Sequence, residues 1–251
     1  MTADADRQAL RVATYNVHGC VGLDGRRSEV RVAEVIAALG VEVIGLQELD
    51  LNRRRSAGLD QAGLIAEHLG WARFFHPALR RAEEEYGDAI LSRYPMTLRQ
   101  GAVLPGAAPW YCRETRGAIW VEVATPLGLV HVFNTHFGLG RRERFLQAEM
   151  LVGADWLGRV PEGEAAIVLG DLNSLAGSGP HRLLAGVLRD ARSFLDPAPP
   201  LRTYPTRRPL LAVDHIFVNA MLRVTAVEVV RSAEARMASD HFPLRAEIRL
   251  A

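Results

Sequence analysis

Apolar residues in this chain gather in short, β-branched runs separated by amphipathic stretches, and the alternation predicts most of its elements. Residues 10–15, 41–46, 89–91, 118–123, 129–134, 165–169, 213–218, 226–230 and 244–250 read as strands. A helical period over 28–39 puts Val32, Val35, Ile36 and Leu39 on one face and stops at Gly40. Asp60 caps a second helix running to Leu69, before Gly70. A third, over 141–157, carries Phe145, Ala148, Val152 and Trp156 on its apolar face, and a weaker one follows Pro180. β-α-β units come early, and adjacent strands in the middle and at the end. That order predicts an α/β fold of two mixed sheets packed face to face, with helices outside. The Pro-rich stretch 196–209 is the best boundary in the chain. Only some forty residues follow it, so it reads as a long loop within one domain, 1–251.

The polar residues that end these runs are the more informative pattern. Tyr15-Asn16-Val17-His18-Gly19 closes the first run and Leu46-Gln47-Glu48 the second. Asn134-Thr135-His136 closes the run at 129–134, and Gly170-Asp171-Leu172-Asn173-Ser174 follows 165–169. Asp214-His215 opens a later run, and Ser239-Asp240-His241-Phe242-Pro243 precedes the last. Strand ends that open on one edge of a sandwich make a site that is rigid below and accessible above.

Composition narrows the classes. The 251 residues are 49% hydrophobic and 24% charged, which suffices for a core without staples. A net charge of +1 gives no global field for a polyanion, although a local basic stripe can hide in a neutral total. Cys20 and Cys112 fit no metal spacing and read as reduced, small apolar residues. The first ten residues lack an apolar signal core, and no apolar run is long enough to span a membrane. A cytoplasmic monomer is the expectation.

The clustered groups suit hydrolysis of a phosphate ester. Mg²⁺, or Mn²⁺ in its place, prefers oxygen ligands and is held by one or two carboxylates plus substrate phosphate. Glu48 and Asp240 supply carboxylates and Asn16 an amide oxygen. If the segment stays extended, Asp171 and Asn173 point the same way, one to take a proton from water and the other to hold a phosphate oxygen; the other reading is a capped turn. His241 can donate to phosphate if Asp214 fixes its tautomer, and His215 then faces away by strand alternation. His136 is a second phosphate donor. Arg116 can clamp a phosphate with its planar fork, and Arg113 competes for that role. Arg53-Arg54-Arg55 reads as a solvated loop or an anion contact. The remaining histidines, His181 among them, have no zinc-ligand spacing.

In this order the motifs resemble the endonuclease/exonuclease/phosphatase superfamily, over nearly the whole chain from Val12 to Pro243. The resemblance implies a DNase I-like four-layer α/β sandwich with the site at one edge, between the sheets. It implies a metal site of Asn16, Glu48 and Asp240 and a water-orienting Asp171 beside a phosphate-binding Asn173. It also implies a phosphate-facing His241 with Asp214, a second histidine in His136, and an arginine in Arg116. Two departures stand out. Val17-His18-Gly19 replaces the Val-Asp-Gly of abasic-site endonucleases, and Asp88 stands where many relatives carry Asn. The expected activity is that of a metal-dependent phosphodiesterase acting on a lipid or small-molecule phosphoester. Cleavage of DNA or RNA is the alternative, and a catalytically silent binding scaffold is a third reading.

Overall fold

The computed structural model describes residues 8–107, 114–198 and 200–251. Two six-stranded mixed sheets face each other. The first has the order β11-β12-β1-β2-β4-β3, from β1 (Leu10–Asn16), β2 (Val43–Leu51), β3 (Ala72–Arg81), β4 (Glu84–Ser92), β11 (Leu222–Val229) and β12 (Leu244–Leu250). The second has the order β5-β6-β7-β8-β10-β9, from β5 (Met96–Val103), β6 (Gly117–Thr125), β7 (Gly128–His136), β8 (Ala165–Asp171), β9 (Arg189–Asp190) and β10 (Asp214–Val218).

Helices α1 (Glu29–Leu39), α2 (Gln61–Leu69) and α5 (Ala233–Ala238) cover the outer face of the first sheet, where Ile36, Ile65 and Ala235 pack with Tyr15, Ile44 and Leu46. Helices α3 (Arg141–Val152) and α4 (Gly179–Ala185) cover the second, where Leu151 and Leu184 pack with Trp120, Phe133 and Val168. The middle layer is aliphatic: Val12, Val43 and Ile248 meet Val121, Val132 and Ile167. Among the described residues no helix is long and apolar enough to cross a membrane.

The caps follow the sequence. Ser28 accepts the Arg31 N–H at the start of α1, Asp60 accepts that of Gly63 at the start of α2, and Gly40 and Gly70 close both in the left-handed conformation. Helix α3 departs from expectation. It ends at Val152 rather than 157, and its buried face is Glu143, Gln147, Ala148 and Leu151, with Phe145 turned outward. The buried polar pair is bonded locally: Glu143 Oε2 accepts the Gly140 N–H, and Gln147 accepts from Gly138 and donates to the Pro105 carbonyl. Trp156 is buried from the turn that follows. Between Leu195 and β10 only an isolated bridge, Tyr204 to Leu211, appears among the described residues, so the Pro-rich stretch is a loop. Cys20 is buried in the outer layer; Cys112 and Arg113 lie outside the described residues.

Candidate active site

Along each central strand, the residues facing the opposite sheet change from apolar to polar toward one end of the sandwich. Strand β7 runs Val130, Val132, then Asn134 and His136; β8 runs Ile167, Leu169, then Asp171; β1 runs Leu10, Val12, then Thr14 and Asn16. Strand pairing aligns these ends. Asp171 is directly opposite His136 on one side and Asp214 on the other, and Asn16 pairs with Gln47 in the facing sheet. Register therefore builds a row of imidazole and carboxylates in one sheet against an amide in the other.

Below the row lies a cross-sheet bridge whose role the sequence did not reveal. Asn134 donates to the carbonyls of Leu46 and Ala89, both at 2.9 Å, and accepts from Gln47 Nε2 at 2.7 Å. The approach requires glycine at 45, since a Cβ there would lie 2.5 Å from Asn134 Oδ1. Asn134→Leu would strand two carbonyls and an amide in the core. We expect a loss of about 3 kcal/mol or more in denaturant unfolding.

Glu48 is not at a strand end. Strand β2 continues to Leu51, and the pairing with β4 slips between Leu46 and Leu49. Glu48 sits in this bulge with φ +64, a conformation that turns a side chain away from the regular pleat. Its Oε1 accepts from Asn16 Nδ2 at 2.9 Å, and the same amide reaches Asp171 Oδ2 at 3.2 Å. Asn16 Oδ1 accepts the His18 N–H, so in this arrangement Asn16 presents its donor, not its oxygen, to the two carboxylates.

Asp171 is the hub. Besides Asn16, its Oδ1 accepts the Asn173 N–H at 2.8 Å, while His136 Nε2 and His241 Nε2 stand 3.5 and 3.7 Å from Oδ2. The segment is the capped turn, not the extended form: Asn173 has φ +45, and its amide donates to the Phe137 carbonyl at 2.9 Å. Burial, then the charge of Asp214, raises the Asp171 carboxyl to about 6 despite the nearby His241.

His241 pairs through Nδ1 with Asp214 Oδ2 at 2.9 Å, which places its Nε2 proton toward Asp171. Burial opposes its charge, but Asp214, Asp171 and Asp240 outweigh burial and push it up to about 10. His136 is the opposite case. A guanidinium can only donate, so the 3.0 Å contact from Arg116 Nη1 takes the Nδ1 lone pair and leaves the ring proton on Nε2. Burial, Arg116 and His241 hold His136 well below its ordinary value, hence neutral. Arg116 itself is buried and also pairs with Glu114.

Asp240 is half-buried beside Ser239, whose hydroxyl donates to the Asn16 carbonyl and ties the last motif to the first. Tyr204, unmarked in the sequence because it lies in the long loop, packs its ring 4.7 Å from that of His241. Its hydroxyl is raised by burial first, then by Asp240, Asp171 and Glu48, so all three carboxylates act on one cleft. Neither Glu48 nor Asp240 has an ion-pair partner among the described residues. Two half-buried carboxylates outside any ion pair fit a hard divalent cation.

Asp88 resolves in the same terms. It is buried, and burial, with Glu48 and Asp171 nearby, raises it well above the carboxylate range despite Arg116. A protonated carboxyl offers one donor and one acceptor, as an Asn side chain does. We expect Asp88→Asn to fold with equal or higher melting temperature and to keep turnover within about threefold, because the swap is isosteric and spares the cost of protonating a buried carboxyl. A collapse of either would show that the ionised form is needed.

His215 faces away as alternation requires. It meets the Ser174 carbonyl at 2.8 Å and joins His181 and Asp190 in a buried cluster outside the cleft. There Arg192 already neutralises Asp190, and Gly177 N–H occupies His181 Nδ1. Arg53 and Arg55 are likewise committed, to buried Asp50 and the face of Tyr86.

A face-to-face α/β sandwich carrying acid, amide and imidazole groups at one edge defines the class. The chain belongs to the Endonuclease/Exonuclease/phosphatase family, whose sequence profile matches residues 13–241. It is 28% identical to Escherichia coli protein YbhP, over 96% of this chain and 97% of that one. Among solved structures it is similar to an endonuclease/exonuclease/phosphatase from Bacteroides vulgatus (TM-score 0.77, 20% identity, covering 98% of this chain and 100% of that chain). It is also similar to a mannosyl-6-phosphatase from Bacteroides thetaiotaomicron (TM-score 0.75, 21% identity, 95% and 99% covered).

Proposed function

We propose that this protein is a divalent-metal-dependent hydrolase of phosphate esters, acting as a phosphodiesterase on a small-molecule or lipid phosphoester. The observation that carries the reading is the surround of Asp171: a carboxylate raised toward neutral pH and flanked by amide and imidazole donors. A general base works best with its pKa near the working pH. Asp171 orients a water and takes its proton as the water attacks phosphorus; the P–O bond opposite breaks, and the alcohol leaves after taking a proton from solvent. His241, held charged by Asp214, donates to a phosphate oxygen, and neutral His136 donates from Nε2 to another. Asn173 and Arg116 fix the phosphate and the His136 ring. Asn16 bridges Glu48 and Asp171 by donating to both. Glu48 and Asp240 would hold Mg²⁺ or Mn²⁺, which supplies neutralisation of the phosphate charge.

A panel of bis-p-nitrophenyl phosphate, sphingomyelin, phosphatidylinositol phosphates, plasmid DNA, abasic duplex and RNA, each with Mg²⁺ and Mn²⁺, tests the reading. Cleavage confined to the small or lipid esters, with a KM nearly independent of salt, is the expected result. Cleavage of DNA or RNA with a KM rising steeply with salt would make the protein a nuclease. No hydrolysis of any member would leave a binding scaffold.

A further inference from the structure

Beside Asn173, between the start of α3 and the turn that leads into α4, a pocket of about 840 Å³ opens next to the cleft. Its charge is one-sided. Arg141, Arg142, Arg144 and Arg182 line it, and none of the four forms an ion pair among the described residues. Arg144 and Arg182 are braced by backbone carbonyls, Nη1 to Leu139 and Nη1 to Gly177, each at 2.6 Å, so two of the forks are held in place before anything binds.

Two further features mark the wall of this pocket. Ser174 Oγ, Ser178 Oγ and Arg144 Nε are buried without any hydrogen-bond partner, and all three residues line this pocket. Buried donors are seldom left unpaired. Arg141 and Arg142 also occupy the first turn of α3, where the helix dipole disfavours cations. A local rule broken without an evident local gain points to a use.

We propose that this pocket binds a second phosphate group of the substrate, so that the site selects small molecules bearing two phosphoryl groups over those bearing one. The inference rests on the hydrolase reading above and names the substrate class for it. Guanidinium forks and hydroxyls are the donors that phosphate oxygens accept best. Phe145 and Leu175, both exposed, give the carbon skeleton between the two phosphates an apolar wall. The volume suits a small molecule. A polymer needs a stripe of cations tracking many phosphates, whereas here the cations converge on one chamber beside the cleft.

The test is a binding measurement. Asp171→Asn protein with saturating Mg²⁺ is titrated by calorimetry with glucose 6-phosphate, glucose 1,6-bisphosphate and a thymidine dinucleotide that carries only its internal phosphodiester. The bisphosphate should bind roughly tenfold or more tightly than the monophosphate, the scale of one charge-assisted hydrogen bond. The double substitution Arg141→Gln, Arg142→Gln should abolish that preference. Removing two cations from a helix N-terminus relieves the dipole, so the fold is expected to hold. Equal affinities, or a preference that survives the double substitution, would overturn the proposal and leave the arginines a solvated helix end. A gain seen only with the dinucleotide would overturn it in favour of a nucleic-acid contact. The readout does not depend on turnover. A bisphosphate preference in a protein that hydrolyses no phosphate ester would sink the enzymatic reading and leave the pocket, and hydrolysis without the preference would do the reverse.

Discussion

Asp171→Asn is expected to lose roughly a thousandfold or more in turnover, the range of a general base, while the protein becomes more stable. The two effects have one origin. The carboxylate is buried opposite Asp214, and that environment raises it from 3.8 to about 6. A carboxyl whose folded pKa lies above its unfolded value is a destabilising charge above the folded pKa and is neutral in both states below the unfolded one. In chelator the variant should therefore melt higher than wild type at pH 7. The gap should narrow as pH falls from about 6 and close below 3.8. Differential scanning calorimetry across pH 3.5–8 reads it; a shift of roughly 2 °C or more at pH 7 corresponds to about 1 kcal/mol in a chain of this length. A variant that is both inactive and less stable at pH 7 would assign Asp171 a structural role.

The second large effect concerns the pair Asp214–His241. His241→Ala should lose about a hundredfold or more in turnover with the fold retained, since an imidazolium donor to the transition-state charge disappears. Asp214→Asn is more discriminating. It leaves the ring in place and removes the strongest influence holding it charged. With His241 raised from 6.5 to about 10, the stability from its charged form is complete below pH 6.5 and is lost as pH rises through about 10. The wild-type rate should accordingly keep its acid form of His241 to pH 9 and beyond. In Asp214→Asn the alkaline limb of the pH–rate profile should move down by a unit or more. An unmoved limb would mean that His241 is not the group whose charge matters.

What the sequence reveals of this fold depends on where each strand lies. Strands β1, β2, β6, β7, β8 and β12 sit inside their sheets and carry the apolar runs that two covered faces demand. Strands β3 and β5 are edge strands. Strand β3 holds Pro77 at a slip in its pairing with β4, which only an edge tolerates, and its burial is patchy enough to hide the period. Helix α5 is six residues long, too short to show a periodic face. The candidate site was legible because each motif lies at one end of a run, and register then brings His136, Asp171 and Asp214 side by side. Three features were hidden. Backbone torsion aims Glu48 from a bulge, burial masks the charge of Asp88, and the Asn134–Gln47 bridge spans two sheets whose packing no single run discloses.

Mg²⁺-dependent cleavage of bis-p-nitrophenyl phosphate, measured for wild type and Asp171→Asn after chelation and again after the cation is restored, decides whether Asp171 and a bound cation carry the chemistry. Wild-type turnover should vanish with the chelator and return with Mg²⁺ or Mn²⁺, and the variant should show none in either state. Turnover that survives chelation, or that the variant retains at the wild-type rate, would contradict this assignment.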